Sequence, residues 1–192
     1  MEPQEILESA NVTEDKRSGR IDTVVAVTIA LVATFMGLCK VKDDNIVQAM
    51  QQAQADRIDN WGWYQAHKTR LEVAEGVVAE FQVMPASPAR DAGLAKWQGT
   101  VEKQKAEQDE TKKKAEDAEK AYNDWNVHDD QFDLADGAIA VAIALLAVTA
   151  LTKKWWLFFL ALAPTTFGVI MGLAGFLGWS IHPDALAKFL GT

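Results

Sequence analysis

Apolar and polar positions are segregated along this chain rather than interleaved. Three apolar stretches stand out: residues 21–39 (IDTVVAVTIALVATFMGLC), 134–152 (LADGAIAVAIALLAVTALT) and 155–179. The first has no charge from Thr23 to Cys39, the second carries Asp136 near its start, and the third has none. A helix of nineteen residues extends ~28 Å, close to the ~30 Å hydrocarbon thickness of a bilayer. Trp155, Trp156 and Trp179 mark the ends of the third stretch, where amphipathic rings favour the headgroup level. The pattern predicts three transmembrane helices, the last two tied by Lys153-Lys154.

The polar segment before the first stretch carries Glu2, Glu5, Glu8, Glu14 and Asp15. A signal peptide has a short basic start and a shorter apolar run, so residues 1–20 are expected to be a polar N-terminal tail that stays on the chain. Cys39 follows Leu38, where a lipidation site needs a small residue, and is expected to be a reduced thiol at the membrane edge. Lys16, Arg17, Arg20, Lys153 and Lys154 fall on one side of a three-span protein, against Lys40, Lys42, Lys120 and Lys188 on the other. This margin points to a cytoplasmic N-terminus.

Residues 40–133 form a charged insert whose one strong breaker is Met84-Pro85-Ala86-Ser87-Pro88. Each half, as a helix, would extend roughly 65 Å. Ser87 as N-cap, Pro88 at the first helical position and Asp91 in the first turn make a second-helix start. Both halves carry a seven-residue repeat. In the first it runs Ile46, Met50, Ala53, Arg57, Asn60, Tyr64, His67, Leu71, Ala74, Val78, Phe81. In the second it runs Leu94, Trp97, Val101, Gln104, Gln108, Thr111, Ala115, Ala118, Tyr122, Trp125, Asp129, Phe132. Apart from Asp129, the polar members (Arg57, Asn60, His67; Gln104, Gln108, Thr111) cluster in the middle of each half. This predicts an antiparallel coiled-coil helical hairpin with its tip near 83–88, Phe81 near Trp97 and Met50 near Trp125. Asp109–Lys113, Glu110–Lys114 and Glu116–Lys120 are spaced as ion pairs along a solvated face.

Trp61, Trp63 and Tyr64 cannot all face one narrow seam. Leaving large apolar side chains in water costs roughly 1.5–3 kcal/mol each, so another copy of the arm is their expected cover. The expected arm contacts are Trp61, Trp63, Tyr64, Leu71, Val78, Phe81, Trp97, Tyr122 and Trp125.

Composition adds exclusions. The overall 49% hydrophobic and 24% charged content resembles a soluble protein only because the two kinds of residue are averaged together. A formal net charge of −8, and an insert with 13 basic against 19 acidic residues, disfavour nucleic acid as a partner. One Cys excludes a disulfide scaffold. No nucleotide loop, nucleophile elbow, HExxH, CxxC or calcium-loop spacing occurs, so no enzyme activity, cofactor or metal is expected.

The stretch KDDNIVQAMQQAQADRIDNW (42–61), followed by YQA, is similar to a bacterial family known as domain of unknown function 4337. The resemblance covers nearly the whole chain, the family's plan being a basic tail, one span, a charged helical insert and two closing spans. It implies an integral protein of a bacterial membrane. It implies no activity and carries over no functional residues.

Some local features remain. His128-Asp129-Asp130 with Asp133 has metal-ligand residue types, but spacing that suits a solvated helix end better. Asp43-Asp44 lies at the matching root of the other helix. Together with Asp129 and Asp130 it would form an acidic vestibule if the roots met around an oligomer axis. Asp22 and Asp136 read as capping acids at helix starts, or as a proton or ion relay. His67 suits a register-setting contact, and His182-Pro183 a stop after the third span. Gly137, Ala140, Ala144 and Ala147 form a small-residue ridge, and Gly168, Gly172 and Gly175 another. Either could serve intrachain packing or dimerisation. Pro164 is expected to kink the third span.

These readings predict an all-α, multi-pass protein of the bacterial inner membrane: three transmembrane helices with an antiparallel hairpin inserted between spans one and two. The expected role is a non-enzymatic, homo-oligomeric scaffold whose arm meets its own copies or a protein partner, with membrane lipid around its spans. A narrow channel with the acidic vestibule, or an accessory subunit of a larger membrane complex, are the alternatives.

Overall fold

The computed structural model describes the backbone of residues 3–179 and 181, and side chains from residue 19. The C-terminal tail, with His182 and Lys188, and the N-terminal tail's Lys16 and Arg17 side chains lie outside the described residues. The protein is all-α: α1 (Pro3–Val83), α2 (Pro88–Thr152) and α3 (Trp155–Leu177), with no strand among the described residues. All three helices are long and apolar enough to cross a membrane.

The first expected span and the charged segment after it are one helix, as are the second span and the charged segment before it. Between Pro3 and Pro85 the sequence has no proline, and an isolated helical glycine costs only about 1 kcal/mol. Helix α1 therefore runs for 81 residues. Asp22 and Asp136 consequently lie inside helices and cap neither, which corrects the capping assignment.

The chain divides into two compact units, Met1–Val47 with Asn126–Thr192, and Gln48–Trp125. In the first, Ile21, Val25, Leu146, Phe158 and Ala161 form one buried cluster. Leu134, Ala135 and Met171 form another, with Phe167 against it. Three glycines set the approach of α3. A Cβ at Gly168 would lie 2.8 Å from Ile139 Cγ1 and 3.0 Å from the Ala135 carbonyl oxygen. At Gly172 it would meet Phe35 at 2.8 Å and Cys39 Sγ at 2.9 Å, and at Gly175 the Phe132 ring at 2.7 Å. Phe176 packs edge-on to Phe132 (5.3 Å) and beside Phe35 (6.4 Å).

The turn from α2 to α3 is Lys153-Lys154. Lys153 takes a left-handed φ of 56°, which costs a non-glycine residue about 1–2 kcal/mol. Its amide donates to the Thr149 carbonyl (2.8 Å), and its ammonium pairs with Asp22 of α1. Helix α3 continues through Pro164 and ends at Gly178, whose φ of 67° closes a left-handed C-cap.

In the second unit, two helical segments pack antiparallel, since their contacts run in opposite order. Arg57 lies over Tyr122 (5.8 Å), His67 meets Gln104 (2.9 Å), and Phe81 covers Gly93. Repeat positions from Met50 to Phe81 and from Leu94 to Tyr122 are all buried or half-buried, whereas Trp125 is 38% exposed. At the turn, Ser87 caps α2: its Oγ accepts from the Arg90 amide at 3.2 Å. The Arg90 guanidinium donates to the Phe81 carbonyl (2.9 Å) and the Gln82 carbonyl (3.3 Å). It thereby satisfies acceptors that the end of α1 leaves open. Of the expected ion pairs Glu110–Lys114 is made (2.6 Å), while Glu116 meets Lys112 (3.7 Å) and Lys120 meets Asp124 (3.9 Å).

A Gly168→Val chain should lose roughly 1–3 kcal/mol of stability, because a backbone carbonyl cannot yield to the new atoms. Gly37→Ala, with nothing within 4 Å of the added carbon, should gain up to about 1 kcal/mol from helix propensity. Thermal unfolding followed by circular dichroism compares the two.

Candidate functional site

The densest polar cluster of the first unit lies where residues 39–46 of α1 face residues 126–136 of α2. Phe132, Ile46 and Cys39 are fully buried there, so the carboxylates beside them are short of water. Asp43 is 4% exposed. Lys40 Nζ donates to its Oδ2 at 2.8 Å and lies 3.9 Å from Asp44. That hydrogen bond holds the Lys40 ammonium above its ordinary range. The other oxygen of Asp43, Oδ1, is buried without a hydrogen-bond partner. Asp129 lies beside Asp43, a contact that is a hydrogen bond only when one of the two carboxyls carries a proton. Burial first, then that contact and the charges of Asp43, Asp133 and Asp130, push Asp129 up to about 6.

Around this pair, Asp130 is 4% exposed and accepts from Asn126 Nδ2 at 3.3 Å. Gln131, fully buried, donates from Nε2 to the carbonyls of Trp179 (2.8 Å) and Ile181 (2.6 Å). With its amide so oriented, its Oε1 accepts from His128 Nδ1 (3.1 Å). His128 thus orients a clasp on the chain beyond α3. Among the described residues no group of three or more His, Cys, Asp or Glu is arranged to hold a metal ion.

The second unit has its own polar node. His67, 8% exposed, bears its proton on Nδ1 and donates to Gln104 Oε1 (2.9 Å), with Glu107 Oε2 at 3.3 Å. Gln104 Nε2 donates to the same Glu107 oxygen at 3.0 Å. Beside this node runs an open groove of about 540 Å³ lined by Ala66, Thr69, Arg70, Val73, Trp97, Thr100 and Gln104. Its walls are largely apolar, so it suits side chains rather than a charged ligand.

The expected arm contacts take different places. Trp61 is half-buried and edge-on to Tyr64 (5.3 Å). Trp63 is 55% exposed and tilts over His67 at 6.0 Å. Leu71, Val78, Phe81, Trp97 and Tyr122 are half-buried, and Trp125 is exposed. Of the two small-residue ridges, Gly168, Gly172 and Gly175 are buried within the chain, whereas Gly137, Ala140, Ala144 and Ala147 are exposed. The packing face of α2 is instead Ala135, Ile139, Ala142, Leu146 and Thr149. Of the four vestibule acids, Asp43 and Asp130 are buried, Asp129 is half-buried and Asp44 is exposed.

Sequence reasoning missed Gln131, Arg90 and the Asp22–Lys153 pair. For Gln131 the available signal was a neutral polar residue between Asp130 and Phe132. For Arg90 it was a cation three residues past the N-cap.

A model of the family described as a domain of unknown function, DUF4337, matches residues 21–178. The chain belongs to that family. No curated protein and no solved structure matches it.

A Gln131→Ala chain should lose both clasp bonds and about 1–3 kcal/mol; faster hydrogen exchange at the Trp179 amide would register the loosening. In the second unit, Gln104→Leu should cost a similar ~1–3 kcal/mol by removing the bonds of Gln104 to both His67 and Glu107. The double variant His67→Leu/Gln104→Leu should recover most of that loss in denaturant titrations.

Proposed function

We propose that the chain is a multi-pass protein of a bacterial inner membrane and works as a non-enzymatic, oligomeric scaffold through its charged arm. Residues 21–39, 134–152 and 155–179 are the three spans, and residues 40–133 an antiparallel coiled coil that meets its own copies or a protein partner. The N-terminus is cytoplasmic and the arm lies on the opposite side.

The spans are supported by the apolar exterior of the first unit. Leu31, Val27, Trp156 and Phe159 are each more than half exposed, a surface that suits lipid tails and is unfavourable in water. The seam is supported by the burial of the repeat positions within the second unit.

The observation that carries the scaffold reading is the exposed apolar surface outside that seam. Ile58 is 60%, Trp63 55% and Val73 57% exposed, and Val73 borders the groove beside Trp97. Two helices packed on each other have already buried what their seam offers, so this remaining surface suits a further helix. A second copy brings an aromatic-rich face of the same chemistry. The channel alternative draws no comparable support, because Asp43 and Asp130 face their own chain's packing.

In mild detergent the purified chain should have the mass of an oligomer, read by light scattering. Trp63→Ala should weaken association about 10- to 100-fold, the equivalent of ~1.5–3 kcal/mol for a large apolar side chain. A monomeric wild-type mass at micromolar concentration overturns the reading.

A further inference from the structure

We propose that Asp43 and Asp129 form a proton-holding site: one proton resides on the Asp129 carboxyl, which donates it to the buried Oδ1 of Asp43. The inference rests on contacts within the first unit and is separate from the scaffold reading.

The starting point is the unequal treatment of the two oxygens of Asp43. Oδ2 receives Lys40 at 2.8 Å. Oδ1 is equally sequestered, in a side chain only 5% exposed, and has no donor. A buried carboxylate oxygen without a donor costs more than an ordinary lost hydrogen bond. The group in contact with Asp43 is Asp129, another acid. Two ionised carboxylates have only acceptor oxygens and repel each other. Protonating one converts it into an O–H donor and removes the excess charge in a single event.

The charge balance of the surroundings points the same way. From α1 the pair is faced by Lys40, which already neutralises Asp43, by the exposed Asp44, and by the Cys39 thiol one turn back. From α2 come Asp130, Asp133 and Asp136, all acids, and His128, whose Nδ1 is engaged by Gln131. Helix α3 has no charged residue between Trp155 and Leu177. Lys40, the ammonium beside the pair, is thus taken by Asp43, and the charges that act on Asp129 are those of acids. Asp129 is half-buried while Asp43 is buried, so Asp129 is the member that can exchange its proton with solvent.

The consequence is a pH dependence of defined sign. The folded chain keeps the Asp129 proton up to a pH of about 6, whereas an unfolded chain releases it near 3.8. Between these values the folded state binds more protons than the unfolded one. The pair's contribution to stability is complete below about 4, declines as pH rises towards 6, and is absent above.

Infrared difference spectroscopy of the full-length protein in detergent, with ¹³C-labelled aspartate, tests this directly. A protonated carboxyl band should be present at pH 5 and decline with a midpoint near 6. Asp129→Asn should remove that component and supply a permanent N–H to Asp43. It should therefore raise the melting temperature at pH 7.5 and flatten its slope between pH 4.5 and 7. Asp129→Ser, whose hydroxyl supplies a donor of a different shape, gives the same test if the amide variant fails to fold. An unchanged band and slope in the folded variant overturns the proposal. So does stabilisation of the wild type by Ca²⁺ or Na⁺ at pH 7.5 that disappears in Asp129→Asn, since the occupant would then be a cation.

Discussion

The close approach of α3 to its neighbours is the constraint on which the first unit depends. Small residues let helix backbones approach closely, so contact here comes from shape. Gly168, Gly172 and Gly175 supply it by removing side chains from one face of α3. Ile139, the Ala135 carbonyl, Phe35, Cys39 and Phe132 then occupy the space that Cβ atoms would have taken. The short Lys153-Lys154 turn returns the chain so that α3 can lie along α2 and α1. Its left-handed lysine also pairs with Asp22 of α1.

Against this apolar framework a few buried polar groups fix particular alignments. In the first unit Gln131 holds two carbonyls beyond the end of α3, and Lys40 holds Asp43. In the second unit His67, Gln104 and Glu107 close a triangle across the helix pair. Each arrangement tolerates little displacement, because a shift of one residue would leave a donor or acceptor without water or partner. Apolar seams built of alanine and leucine are permissive about register, and these nodes make them less so.

Much of this architecture was legible in the sequence. The two breakers, Met84–Ser87 and Lys153-Lys154, are where the helices end. The seven-residue repeat picked out the inward face of the second unit, down to the polar His67 and Gln104. Ser87 was readable as a cap because capping chemistry is local. What escaped was set by partners distant in sequence. A ridge of small residues shows that close approach is possible, not which ridge is used. Gly168, Gly172 and Gly175 are used within the chain, while Gly137, Ala140 and Ala144 face outward. Asp22 looked like a helix-start acid because the helical character of the polar tail carries no apolar periodicity. The Asp43–Asp129 contact joins residues that only the folded backbone brings together.

The notches along α3 also limit how this sequence can change. Phe35 and Phe132 fill hollows that exist only because the opposing residues are glycines. A bulkier residue at position 172 calls for a smaller one at position 35 or an altered Cys39, and position 175 is linked to 132 in the same way. Volume in this interface is a shared quantity. Substitutions there are expected to be tolerated as compensating pairs, so descendants of this chain would drift along coupled positions rather than one site at a time.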